Sequence, residues 1–282
     1  MKRVLFIIVS AVCILFYSCE KEETYNSERL VVEGWIESGD NPVILITKTL
    51  SLNQDFWYNG ELNQLVALWA KVFIDDGDTC VRLLNRIDRN YYPPFYYTTP
   101  DIIGKPGKTY KLTIEYQGLI VTAETTIPQP IPLDSIVHNQ LPGSDSLFEI
   151  NAYFKDVENE HNYCGFFTRI KNRETRYYPS ILGLFDDRDY SNPDNVSVKV
   201  FPGLYKLPQN KYKNCYSLSD TVAVKFSQMD SVSYAVMKSY LDLVNMSEMA
   251  LFPETDNMKT NINGGLGYWC GFGCRRYELI MR

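Results

Sequence analysis

The sequence predicts a mainly β protein made of two β-rich units, the second carrying a single α-helix. Three observations lead there. Short segments of apolar–polar alternation recur along most of the chain, which is the period of a half-buried strand. Tyr occurs 21 times and aromatic residues reach 14%, and such side chains fit a pleated, half-buried surface. Only one segment, towards the C-terminus, has apolar residues spaced for a helix face. At 282 residues, 45% hydrophobic and 22% charged, the composition is globular and excludes a disordered or collagen-like chain.

The first segment stands apart from the fold. Met1-Lys2-Arg3 is basic, residues 4–16 carry no charge, and Tyr17-Ser18-Cys19 follows. This is the layout of a secretory signal, with an apolar run shorter than the ~20 residues of a membrane span. Cys19 sits where a bacterial lipoprotein signal places its lipidated cysteine, so residues 1–18 are expected to be removed. Residues 19–29, which begin Cys19-Glu20-Lys21-Glu22-Glu23, form an acidic tether. Acylation of Cys19 with several chains would anchor the protein to a membrane. Losing Lys2 and Arg3 from the 28 basic side chains leaves 26 against 34 acidic ones, a net of −8. That balance disfavours nucleic acid as a partner, and no basic cluster interleaved with aromatics occurs.

Residues 30–127 read as a run of strands. Leu30–Ile36 and Val43–Thr49 flank a joint rich in turn formers. Val66, Leu68, Ala70, Val72 and Ile74 alternate, and Asp75-Asp76-Gly77-Asp78 turns the chain into 79–84. Tyr110 and Leu112 follow Gly107 in a Gly-x-x-Tyr-x-Leu pattern that resembles the tyrosine corner of immunoglobulin-like sandwiches. About seven strands in about 100 residues suit such an immunoglobulin-like β-sandwich. Pro128, Pro130 and Pro132 cannot run as a central strand, and 128–133 is expected to be a linker. Beyond it, strands are expected at 147–154, 163–170, 196–201 and 221–226, with a helix near 230–246. Asp230 or Ser231 would cap that helix, and Val232, Val236, Tyr240, Leu243 and Val244 would form its apolar stripe. A Gly-rich tail, Gly264-Gly265-Leu266-Gly267, then leads into a last strand. Residues 134–282 thus read as a β-sheet or partial barrel covered by one helix.

Catalytic signatures are scarce. No nucleophile elbow, zincin or phosphate-loop motif occurs, and neither of the two His residues has a motif around it. No cofactor is expected, and binding is favoured over catalysis. After Cys19 the cysteines are Cys80, Cys164, Cys215, Cys270 and Cys274. Their odd number at irregular spacing is no disulfide framework, and Cys270 and Cys274 read either as a bridged turn or, preferably, as two buried thiols. Asp187, Asp189 and Ser191 match the first ligand positions of a calcium loop, but Asn192 replaces the turn Gly and Val198 the terminal Glu. Asp186 and Asp187 are the best paired carboxylates for a hydrolase. Ser135, Ser146, Thr221 and Ser231 each follow Asp and precede an apolar residue; these tripeptides resemble O-glycan acceptor sites, and about one is expected by chance.

The densest aromatic segment runs from Tyr91 to Tyr97 and holds Tyr92, Phe95 and Tyr96 around two prolines. Tyr offers large contact area at low entropy cost and Pro stiffens the backbone. This segment is the first candidate for ligand or partner contact, and Tyr177-Tyr178-Pro179 is the second.

Several of these pieces together resemble one family. They are the lipoprotein start, Leu30–Ile36, Ala70–Gly77, Gly107–Leu112, Asp134-Ser135-Ile136 and Asn261–Tyr268. They resemble the domain of unknown function 4249 family of Bacteroidota outer-membrane lipoproteins. Members are often encoded beside TonB-dependent transporters. The resemblance therefore implies an accessory role in ligand capture or uptake, with such a transporter as partner, a lipid anchor on Cys19 and exposure at the cell surface. It supplies no catalytic residues.

Overall fold

The computed structural model describes residues 28–49, 65–155, 161–190, 195–203, 214–246 and 258–282. The expected signal, Cys19 and the tether up to residue 27 lie outside the described residues, as does Ser191.

The chain is mainly β. The first strands are β1 (Leu30–Glu37), β2 (Val43–Lys48), β3 (Lys71–Asp75), β4 (Cys80–Arg82), β5 (Leu84–Ile87), β6 (Phe95–Thr98), β7 (Thr109–Tyr116) and β8 (Leu119–Thr126). After the proline segment come β9 (Ser135–Gln140), β10 (Leu147–Phe154), β11 (Tyr163–Ile170), β12 (Tyr178–Asp186), β13 (Val196–Val200), β14 (Tyr216–Ser217) and β15 (Thr221–Met229). Helix α1 (Ser231–Met246) and the long strand β16 (Leu266–Ile280) complete the described chain.

One sheet spans the molecule in the order β12-β11-β15-β16-β1-β2-β6-β5. A sheet of β4-β3-β7-β8 covers one half, and a sheet of β13-β10-β14 with β9 beside β10 covers the other. Each half has its own core. The first gathers Val32, Ile36, Ile44, Tyr110, Leu112, Ile114 and Trp269. The second gathers Ile131, Phe148, Ile150, Phe166, Val224, Phe226 and Leu279. No closed barrel forms among the described residues, so of the two expected forms, sheet or partial barrel, the second unit is the sheet.

The expected division at 128–133 separates the two cores but not the strand pairing. Strand β16 runs parallel to β1 from Val31–Leu266 to Glu37–Phe272 and antiparallel to β15 from Thr221–Ile280 to Met229–Phe272. The last strand of the chain thereby joins both units into one hydrogen-bonded sheet, with Trp269 in the first core and Leu279 in the second. The proline segment is packed on this sheet. Ile131 N–H donates to Gln228 Oε1 at 2.7 Å and Leu133 N–H to the Tyr277 hydroxyl at 2.8 Å. Glycine in β16 permits that approach: a Cβ at Gly273 would lie 2.2 Å from the Pro128 carbonyl oxygen. At Gly267 φ is +98° and a Cβ would lie 1.9 Å from the Val32 oxygen, so the tail glycine allows β16 to close on β1.

Local features follow the sequence closely in several places. Tyr110 is fully buried; its hydroxyl accepts from Lys105 N–H at 2.8 Å and donates to the Ile103 carbonyl at 3.4 Å. This is the geometry expected of a tyrosine corner. The Asp75–Asp78 turn has Gly77 at φ +87°, and Asp76 Oδ1 accepts from Asp78 and Thr79 N–H groups. The Asp230 carboxylate caps α1 by accepting from Ser233 N–H at 2.6 Å.

Other expectations are corrected. The strand expected over 66–74 starts at Lys71, because the Tyr97 hydroxyl donates to Ala67 C=O and accepts from Ala70 N–H, pinning 67–70 as a turn. That turn leaves Trp69 88% exposed. The buried face of α1 is Ser233, Val236, Met237 and Leu241, while Val232 faces solvent. The side chains of Leu243 and Val244 lie outside the described residues. Cys270 and Cys274 are buried free thiols, and Cys164 is buried as well.

Candidate functional site

The face of the large sheet opposite the two cores carries a cleft of about 390 Å³. Strand alternation builds it. In β1, Val32, Gly34 and Ile36 face the first core, so Glu33, Trp35 and Glu37 face the cleft. In β16, Trp269 faces the core, so Tyr268, Phe272 and Arg276 face the cleft. Register then lines up Phe167 of β11 with Lys225 of β15, and Lys225 with Arg276. Met237 and Tyr240 of α1 close one side; Tyr91 and the Arg176–Pro179 segment close others.

The floor holds a buried charge network. Lys225 is 5% exposed and its ammonium donates to Glu37 Oε1. Arg276 donates to Glu37 Oε2 at 2.7 Å and also to Asp40. Three rings surround the Lys225 ammonium: Phe167 at 4.6 Å, Tyr177 at 4.9 Å and Phe272 at 6.0 Å from their centroids. Burial opposes both charges, yet the partners win. The Glu37 carboxyl is held below its ordinary value by Lys225 and Arg276, and the Lys225 ammonium is held above its own chiefly by Glu37. Cys274 points its thiol at Glu37 Oε2, 3.7 Å away, and burial pushes that thiol up to about 12.

The rim is aromatic and basic. Arg176 lies 5.3 Å from the Tyr178 ring and 5.6 Å from the Tyr91 ring, and Arg169 lies 5.1 Å from the Tyr177 ring. Tyr91 packs 6.1 Å from Trp35 and 5.1 Å from Tyr96, and burial lifts its hydroxyl to about 12. The protein wall raises the Glu33 carboxyl, with Arg176 opposing that rise. Glu33 is exposed at the cleft mouth, so water screens the effect and keeps it small.

Of the predicted contact residues, Tyr91, Tyr177 and Tyr178 meet in this cleft although some 86 residues separate the two segments in sequence. Tyr96 supports Tyr91 from behind. Tyr97 is instead a buried structural residue, Tyr92 is 75% exposed away from the cleft, and Phe95 pairs with Ile87 in the β5–β6 ladder. Sequence reasoning missed Glu37, Lys225, Arg276, Arg169 and Arg176. One signal was available: Lys225 stands alone in the otherwise uncharged run 221–229, and a lone charge in a buried strand demands a partner.

The acidic segment at 186–189 is assembled differently. Asp187–Asp189 forms one turn of 3-10 helix that the Asp186 side chain caps. Arg188 grips Asp186 with Nη2 at 2.6 Å and, with burial opposing and His161 Nε2 at 2.8 Å assisting, holds its carboxyl far below the carboxylate range. Asp187 accepts from Asn162 N–H, and Asp189 from Asp186 N–H at 3.3 Å. His161, Asp186 and Asp187 have ligand atoms within 4.8 Å of one another, but Arg188 already neutralises the central carboxylate. Among the acceptor serines and threonines, Ser135, Ser146 and Ser231 are exposed and Thr221 is half-buried at the start of β15.

A family profile described as "Domain of unknown function (DUF4249)" matches residues 17–276. The chain belongs to this family. Every cleft residue named above lies inside the matched span. No curated protein matches the chain. No helix among the described residues is long and apolar enough to cross a membrane.

Proposed function

We propose that the protein is a non-enzymatic binding lipoprotein, anchored to the outer membrane through acylated Cys19 and facing the cell exterior. There it captures a small ligand in the sheet-face cleft as an accessory to a TonB-dependent transporter. The cleft carries this reading: a concave site of small-molecule size, walled by rings and by a few convergent charged groups. The anchor rests on the Met1–Cys19 layout, and the transporter on the resemblance to neighbours of such genes. Binding is preferred to catalysis because the cleft acids and bases are committed to each other and the Cys274 thiol stays protonated. The hydrolase reading through Asp186 and Asp187 is weakened by the Arg188 clamp.

Affinity purification of the full chain from detergent-solubilised outer membranes tests the reading. A TonB-dependent transporter should co-purify, and Cys19→Ala should release the chain from the membrane fraction. A stable complex without any transporter would overturn the accessory role in favour of an assembly subunit, the second reading, which the exposed Trp69 and Tyr92 favour.

A further inference from the structure

The charged groups of the cleft fall into two sets. Glu37, Asp40, Lys225 and Arg276 neutralise one another through the contacts on its floor. Arg169 and Arg176 stand outside that network, and among the described residues neither forms an ion pair. The Arg169 Nε is buried and has no hydrogen-bond partner. The Arg176 Nε donates to the neutral Tyr178 hydroxyl, at 3.3 Å. The one further cleft carboxylate, Glu33, offsets a single guanidinium. The lining therefore keeps one net positive charge in a chain whose formal net charge is −6.

The geometry favours an acceptor. Each guanidinium presents a planar fork of donors that matches a carboxylate or phosphate. Both are held against consecutive rings, Tyr177 and Tyr178, so less motion is lost when they bind. Donors left unsatisfied in a half-buried wall cost free energy that an oxyanion would recover. Trp35, Tyr91 and Tyr268 supply aromatic surface to the same lining.

We propose that the cleft takes an organic oxyanion, with its carboxylate or phosphate held by Arg169 and Arg176 and its apolar or aromatic body against Trp35, Tyr91 and Tyr268. This inference rests on the ligand-binding reading above and names its ligand class.

Isothermal titration calorimetry of the full chain in detergent tests it with three probes: 2-naphthoate, 2-naphthyl phosphate and the neutral 2-naphthalenemethanol. At least one anion should bind about tenfold or more tightly than the alcohol, as a charge-assisted pair predicts. The tighter of the two anions identifies the head group. Arg169→Gln and Arg176→Gln should each weaken the anion about tenfold and leave the alcohol unchanged, which also shows that the variants are folded. Trp35→Ala should weaken all three probes. Equal binding of alcohol and anions, or anion affinity that survives both arginine substitutions, overturns the oxyanion class while leaving a ligand-binding cleft in place. Absence of binding by all three probes overturns the cleft as a ligand site altogether.

Discussion

Replacing Glu37 by Gln should destabilise the protein far more than replacing its partner Lys225 by Met. Glu37 and Lys225 are 8% and 5% exposed, so each charge depends on the other for its solvation. In Glu37→Gln the Lys225 ammonium stays buried among Phe167, Tyr177 and Phe272 with no carboxylate beside it. Stranding one member of a buried pair costs about 3–5 kcal/mol. In Lys225→Met the Glu37 carboxylate keeps Arg276 at 2.7 Å, and Met fills the volume between the rings, so the loss is near one charge-assisted hydrogen bond, about 2 kcal/mol. The double variant should recover part of the Glu37→Gln loss. Urea unfolding at pH 7, followed by Trp fluorescence, reads the order through the midpoints. The pH dependence adds a second signature. The Glu37 carboxyl is depressed in the fold, so its contribution is present above its unfolded value near 4.5 and disappears as pH falls through the lower folded value. The Lys225 ammonium is raised, so its contribution is full below the unfolded value near 10.5 and disappears as pH rises through the folded one. Glu37→Gln should flatten the acid limb of the stability curve. A Lys225→Met loss equal to or greater than that of Glu37→Gln would refute the reasoning.

Two other outcomes are expected. Tyr110→Phe should cost about 1–3 kcal/mol, because Lys105 N–H loses its acceptor in a part-buried corner; an unchanged urea midpoint would show that water replaces the hydroxyl. Iodoacetamide at pH 8, with sites mapped by mass spectrometry, should label exposed Cys80 and spare buried Cys270 and Cys274, both pushed up to about 12 by burial. Modification of Cys274 at the rate of Cys80 would mean that the cleft floor opens.

Much of the β architecture is legible residue by residue. The strands Leu147–Phe154 and Tyr163–Ile170 are found at the expected limits. The cap at Asp230, the turn at Gly77 and the corner at Tyr110 are each set by a short-range conflict between backbone groups and water that a single residue type resolves. The edges of elements are less legible. Tyr97 delays the start of the strand expected at 66–74 through a hydroxyl reaching back about 30 residues, and no window centred on 66–74 contains that information. Strand β12 is not among the expected strands: Tyr177-Tyr178-Pro179 reads as a contact segment, yet Tyr178 and Pro179 pair with Thr168 and Phe167 next to a bulge.

The aromatic segments show the same limit for the site. Their composition marks Tyr91, Tyr177 and Tyr178 as contact residues, but nothing in it says that they belong to one surface or which neighbours do not.

Periodicity, turn chemistry and composition by themselves determine that this chain is mainly β, that one helix follows Asp230, that the cysteines form no framework, and that two hydrophobic cores lie either side of the proline segment. These are local properties, set by where side chains point along a single element. The tertiary structure alone decides that β16 lies between β1 and β15, and from that pairing everything functional follows. It brings Glu37 from one end of the chain to Lys225 and Arg276 from the other, and leaves Arg169 and Arg176 beside them with no ion pair of their own among the described residues. Long-range strand pairing carries no sequence signature of its own, because backbone hydrogen bonds are the same for every residue. Only the packing of both sheet faces selects which strands meet.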